Sequence, residues 1–157
     1  MRPARIPIGL QLAQAARLVG RAFDDALGSA GGSLPVWLIL LNLKTRNLAS
    51  QRELAEAVGI REATLTHHLT AMESSGLVSR RRDAANRRIQ VVELTAAGED
   101  MFARLGTVAL AFDQQLRREV SEAQIAELEA VLRQLKANVG ADDGGELPWA
   151  GLADSAR

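Results

Sequence analysis

Gly76-Leu77-Val78-Ser79-Arg80-Arg81-Arg82-Asp83-Ala84-Ala85-Asn86-Arg87-Arg88-Ile89-Gln90-Val91-Val92-Glu93-Leu94-Thr95 is the stretch on which the reading of the chain turns. Two β-prone runs, residues 77–82 and 89–94, flank a polar turn. The turn and its flanks hold five arginines, Arg80, Arg81, Arg82, Arg87 and Arg88, against Asp83. A guanidinium must stay solvated or find an anion, so such a hairpin makes a poor core element. It makes a good probe of phosphates or of a DNA groove.

The residues before it complete the pattern. Residues 51–58 and about 61–75 read as two short helices joined at Gly59, where a small residue tolerates positive φ and close helix approach. Ser50 and Glu53 have the spacing of a capping box for the first helix. Leu54, Ala55 and Val58 fall on its core side, and Leu65, Leu69 and Met72 on that of the second. A helix-turn-helix followed at once by a basic hairpin is a winged helix-turn-helix. Its second helix is expected in the major groove with the N-terminal half at the base edges. The residues expected at DNA are Ser50 and Gln51, then Arg61, Glu62, Ala63, Thr64, Thr66, His67 and Thr70, with His68 beside them, and Arg81, Arg82, Arg87 and Arg88 on the hairpin. Short hydroxyls allow close approach, Arg can read guanine, and a Thr methyl can touch thymine. The competing reading is a winged helix that binds protein, with the arginines as a solvated rim. His67-His68 is no metal site, because adjacent helical residues point about 100° apart and the chain has neither a third His nor any Cys.

Outside this unit the pattern is helical. Ile8, Leu12, Ala15, Ala16, Val19, Phe23 and Leu27 form a stripe over residues 8–27, ended by Gly28-Ser29-Ala30-Gly31-Gly32-Ser33. That glycine-rich run lacks the Lys-Ser/Thr of a phosphate loop and follows no strand. Residues 34–45 are apolar nearly all round, as in a helix buried on several sides. Thr95 caps a helix over about 96–119, and Ser121-Glu122-Ala123-Gln124 opens another that runs to about 139. The expected fold is mainly α with a small β-hairpin wing. Residues 34–94 form a winged helix-turn-helix DNA-binding domain, 1–33 and 95–140 a helical dimerisation region, and 141–157 a disordered tail. The apolar stripes of the terminal helices are too large for one small winged helix to cover, which implies a homodimer.

Composition narrows the classes. The 157 residues carry 19 basic and 19 acidic side chains, so formal net charge is zero and a nonspecific polybasic binder is disfavoured. Charge is segregated, however. Residues 44–93 hold nine basic and six acidic side chains, a net +3 that the remainder balances. With no cysteine, disulfides, thiolate sensing and zinc-thiolate sites are excluded. The longest apolar run, residues 36–41, is too short for a bilayer, and no signal-peptide core follows the N-terminus. A cytoplasmic protein is expected. No nucleotide motif or nucleophile–His–acid set is visible, so no enzyme activity, cofactor or metal is expected.

These residues resemble the MarR family of transcriptional regulators over about residues 8–139. The resemblance is most specific in Gly76-Leu77-Val78-Ser79-Arg80, Asp83, Arg87-Arg88 and Leu94-Thr95-Ala96-Ala97-Gly98. Gln51-Arg52-Glu53-Leu54-Ala55 and Thr64-Leu65-Thr66-His67-His68-Leu69 resemble the family's third and fourth helices. It implies a two-fold dimer with its reading helices roughly 34 Å apart on a pseudo-palindrome, and a repressor that responds to a ligand. It also implies a small aromatic or anionic effector between the dimer helices and the DNA lobe, for which Arg17, Phe23, Trp37 and Leu41 are the candidates. Without cysteine, a peroxide-sensing member is not expected. Ala85 stands where the family often has Arg, and Asn86 where it often has Asp. The tip contact therefore falls to Arg87 or Arg88, with Arg87 expected in the minor groove and Arg88 expected to hold Asp83 across the hairpin.

Overall fold

A computed structural model describes residues 5–46 and 50–140. The expected tail, with Leu147-Pro148-Trp149, lies outside the described residues. The order is α1 (Ile8–Ser29), α2 (Leu34–Thr45), α3 (Gln51–Val58), α4 (Glu62–Ser74), β1 (Val78–Arg82), β2 (Gln90–Leu94), α5 (Ala96–Leu116) and α6 (Glu122–Asn138). The fold is mainly helical with one antiparallel hairpin, as the sequence implies.

Helix α2 is the hub. Its sequence, Leu-Pro-Val-Trp-Leu-Ile-Leu-Leu-Asn-Leu-Lys-Thr, has no polar face, so it must be covered on every side. It touches α1, α3, α4, α5 and β2. Trp37 has no exposed surface and stacks on Phe102 of α5, with ring centroids 5.5 Å apart. Leu27, Ile39, Leu40, Leu54, Leu65, Leu69 and Leu105 complete the core. Ser33 caps α2 by accepting from the Val36 amide, and the proline at the second helical position is tolerated because its missing donor lies in the first turn.

The helix-turn-helix follows from capping. Ser50 accepts from the Glu53 amide to start α3, and Gly59 ends it at φ 78°, a left-handed conformation that costs a side-chain-bearing residue more than glycine. Helix α4 begins at Glu62, one residue later than expected, with Arg61 as its N-cap. At the other end Thr95 accepts from the Gly98 amide, while the Thr95 amide and hydroxyl donate to the carbonyls of Leu77 and Gly76. Residues on both sides of the hairpin are thus sewn to the start of α5. Helix α5 stops at Leu116, short of the expected residue 119. Glu119 is left-handed at φ 63°, and Arg117 turns to Asp113 and, at 2.7 Å, to Glu122. Ser121 and Gln124 then form the expected capping box of α6.

The terminal helices behave differently from the hub. The α1 stripe is buried only at its far end, where Leu27 is sealed and Phe23 stacks on Phe112 at 4.8 Å. Ile8, Leu10 and Leu18 are exposed, as are Leu128, Val131 and Leu132 of α6, which has no buried residue. Among the described residues no single helix is long and apolar enough to cross a membrane.

The start of α5 gives a stability test. A Cβ at Gly98 would collide with the backbone carbonyl oxygen of Leu77, which cannot move aside as a side chain could. Gly98→Ala is expected to destabilise the fold by about 1–3 kcal/mol or more. Chemical denaturation read by tryptophan fluorescence checks this, with Gly9→Ala, whose Cβ meets nothing and which should not destabilise the fold, as the control.

Candidate nucleic-acid interface

Helix α4 and the wing present one charged, hydroxyl-rich surface. Leu65, Leu69 and Met72 of α4 face the core, which turns Arg61, Glu62, Ala63, Thr64, Thr66, His67 and Thr70 to solvent, while His68 is half-buried. The threonine hydroxyls fold back on the helix: Thr66 donates to the Glu62 carbonyl and Thr70 to the Thr66 carbonyl, each at 2.9 Å. With those protons used, the two side chains offer methyl groups and lone pairs outward. Ser50 spends its oxygen on the α3 cap, and the Gln51 amide donates to the Gln90 side chain of β2, tying α3 to the wing.

The wing divides its arginines. Register pairs Val78 with Leu94, Arg80 with Val92 and Arg82 with Gln90. Side-chain alternation therefore puts Arg80 on the face of the buried Val78. Its Nη2 and Nε donate to Glu73 of α4 at 2.6 and 2.9 Å. On the opposite face Arg81 pairs with Glu93 of β2 at 2.8 Å. Lys44 is taken by Glu99, and Arg52 by Glu56. Arg61, Arg82, Arg87 and Arg88 enter no ion pair among the described residues.

One expectation about the tip is corrected. Asp83 does not hold Arg88. Its Oδ1 accepts from the amides of Ala85 and Asn86, both at 2.8 Å, the local bonding that short carboxylates make at turns. Asn86 in turn accepts from the Arg88 amide through its side chain and from the Ile89 amide through its carbonyl. The tip is stiffened by backbone hydrogen bonds, and both Arg87 and Arg88 remain exposed. The effector candidates also part company. Trp37 and Leu41 are sealed in the core, Phe23 is engaged with Phe112, and Arg17 is exposed on α1. In this conformation the first two present nothing to a ligand.

Comparison with known proteins bears on this geometry. The MarR family model matches residues 33–90, which covers the hub, α3, α4 and most of the wing. The transcriptional regulator PA3341 is 31% identical, with a TM-score of 0.74, over 86% of this chain and 99% of its own. The chain belongs to the MarR family. A M. tuberculosis transcriptional regulator, MOSR, solved in complex with DNA, is 25% identical, with a TM-score of 0.66, over 86% of this chain and 98% of its own. CouR from Rhodococcus jostii RHA1, solved with p-coumaroyl-CoA, shares the fold at 18% identity and a TM-score of 0.73, over 86% of this chain and 95% of its own. The chain is thus a DNA-binding transcriptional regulator of the MarR type.

Arg80 is one of the wing's five arginines but not among the expected DNA contacts, and its even spacing from Val78 puts it on the inward face, where it takes on a partner that the sequence did not indicate. The two carboxylates that bond to wing arginines, Glu73 of α4 and Glu93 of β2, report their partners. The hydrogen bond from Arg80 holds the Glu73 carboxyl below the ordinary glutamate range, and Arg81 does the same for Glu93. A carboxylate whose pKa is lowered by folding stabilises the fold above its unfolded value and loses that effect as pH falls through the folded value. Carboxyl-detected NMR titration is expected to place Glu73 and Glu93 low. Arg80→Ala should return only Glu73 to the ordinary range, and Arg81→Ala only Glu93.

Proposed function

We propose that the chain binds duplex DNA in a sequence-specific manner as a homodimer on a pseudo-palindromic operator, as a ligand-responsive repressor. The observation that carries this reading is a rigid unit with two free contact surfaces. The outward face of α4 is exposed, and the wing tip carries Arg87 and Arg88 unpaired on a turn braced by Asp83. In this reading Arg61, Thr64, Thr66 and His67 meet base edges, with Glu62, Ala63 and Thr70 beside them. Arg82, Arg87 and Arg88 track the backbone or enter the minor groove. Ser50 and Gln51 support the interface by capping α3 and bracing the wing. Arg81 lends little free charge because Glu93 neutralises it.

Dimerisation rests on the uncovered apolar surface. Val19, Leu116, Val120, Ile125, Leu128 and Leu132 line a groove of about 520 Å³ among α1, α5 and α6. Leu10 and Leu18 of α1, Leu116 of α5, and Leu128, Val131 and Leu132 of α6 are exposed on the same three helices, and apolar side chains gathered on one surface mark an interaction site. We assign residues 1–33 and 95–140 to dimerisation and 34–94 to DNA. The ligand-responsive part rests on the family and on the p-coumaroyl-CoA complex of CouR. A small aromatic or anionic effector is the class to screen.

Binding is expected to be steeply salt-dependent. Arg61, Arg82, Arg87 and Arg88, unpaired on this surface among the described residues, make about eight cations in a dimer, so affinity for a selected operator should fall by about 10³–10⁵-fold between about 50 and 200 mM salt. Fluorescence anisotropy on a duplex chosen by binding-site selection measures this. Failure to bind any selected duplex would leave the protein-binding alternative standing.

Leu128→Asp is expected to yield a folded monomer. Leu128 is 51% exposed in the single chain, so a charge there leaves the monomer intact but would be buried unpaired in a dimer. Sedimentation velocity at micromolar concentration should show a dimer for the wild type and a monomer for the variant. A monomeric wild type would rule the assembly out.

A further inference from the structure

We infer that Arg80 does not contact DNA but is a positioning residue, which locks the wing to the reading helix and sets the angle at which both meet the duplex. The inference rests on the DNA-binding reading above and assigns a role that the arginine count alone would not give. Arg80 sits where β1 leaves α4. Its side chain is 16% exposed, against 56% for Arg81 on the opposite face of the same strand. Its two donors converge on one oxygen of Glu73, and Nη2 also reaches the Thr70 hydroxyl at 3.4 Å.

Thr70 and Glu73 lie one turn apart on α4, so the guanidinium spans a full turn of the helix. A planar fork that bonds two side chains of one helix resists rotation in a way that a single ammonium cannot. Around it, the Leu77 amide bonds to the Met72 carbonyl at the end of α4, and the Gln51–Gln90 bond ties the wing to α3. Arg80 is the only charged side chain of β1 that bonds to α4 among the described residues.

The sign of one experiment separates positioning from contact. Glu73 is an acid beside a surface that meets phosphates. If its only influence were electrostatic, Glu73→Ala would leave DNA binding unchanged or make it tighter, and would free Arg80 for a phosphate. If the clamp sets the wing angle, Glu73→Ala weakens operator binding although it removes a negative charge. Anisotropy titrations of the full chain on a selected operator and on a random duplex, over a range of salt, give both readouts. Glu56→Ala supplies the electrostatic baseline, because Glu56 pairs only with Arg52 within α3.

The expected result is that Glu73→Ala loses about tenfold or more on the operator, keeps or improves its affinity for random duplex, and keeps the wild-type salt slope. The charge swap Glu73→Arg with Arg80→Glu should recover part of the loss, and Glu73→Gln, which keeps an acceptor for Arg80, should fall between. Unfolding curves for each variant show that the losses are not loss of fold, and Glu73→Gln carries the test if Glu73→Ala is unstable. The inference is overturned if Glu73→Ala and Glu73→Gln bind the operator as tightly as Glu56→Ala does. It is also overturned if Arg80→Ala reduces the salt slope on random duplex, as loss of a phosphate contact would. A wild-type chain that binds no selected duplex overturns the DNA reading itself, and this inference with it.

Discussion

A helix with no polar face cannot rest on a surface, and α2 forces the rest of the fold to close around it. Burying a leucine- or tryptophan-sized side chain contributes roughly 1.5–3 kcal/mol, and α2 buries Trp37, Ile39, Leu40 and Leu41 together. The elements that carry function are those that cover it. Helices α3 and α4 and strand β2 of the winged unit pack on α2, as do helices α1 and α5. The stack of Trp37 on Phe102 therefore connects the reading unit to the helix that leads into the proposed dimer region.

Electrostatics is organised by pairing more than by total charge. With a net charge of zero, the chain cannot rely on a diffuse positive field. It neutralises the basic groups near the framework, Lys44, Arg52, Arg80 and Arg81, with acids on packed helices, the next helical turn or the paired strand. Those at the ends of the surface, Arg61, Arg82, Arg87 and Arg88, stay unpaired. Exposed pairs of this kind contribute little to stability. Their effect is to decide which cations are available to a polyanion.

Much of this fold was legible because local signals agreed with tertiary needs. Ser50, Thr95 and Ser121 each cap the helix that the sequence assigns to them, and Gly59 takes the left-handed turn. The fates of the arginines were less legible. Arg80 and Arg81 are adjacent and chemically identical, and only strand register against α4 separates a nearly buried clamp from an exposed cross-strand pair. The partner of Asp83 was misread for a related reason. A carboxylate beside several arginines suggests an ion pair, yet amides two and three residues on lie closer and cost no side-chain ordering. The effector candidates show a further limit. An aromatic residue at helical spacing fills a core as readily as it lines a cavity, and Trp37 fills the core.

The wing is fastened at its root and, through the Gln51–Gln90 bond, at the far end of β2. Thr95, Gly98 and Arg80 hold the end nearest the helices, whereas Arg87 and Arg88 ride on a turn beyond strands of five residues each. At about 3.3 Å per residue the tip projects roughly 17 Å from that root. The hairpin is thus a lever: a rotation of about 5° at the base carries the tip arginines about 1.5 Å, half the length of a hydrogen bond. Small adjustments among the residues at the root are magnified into the difference between a guanidinium seated in a groove and one left in water.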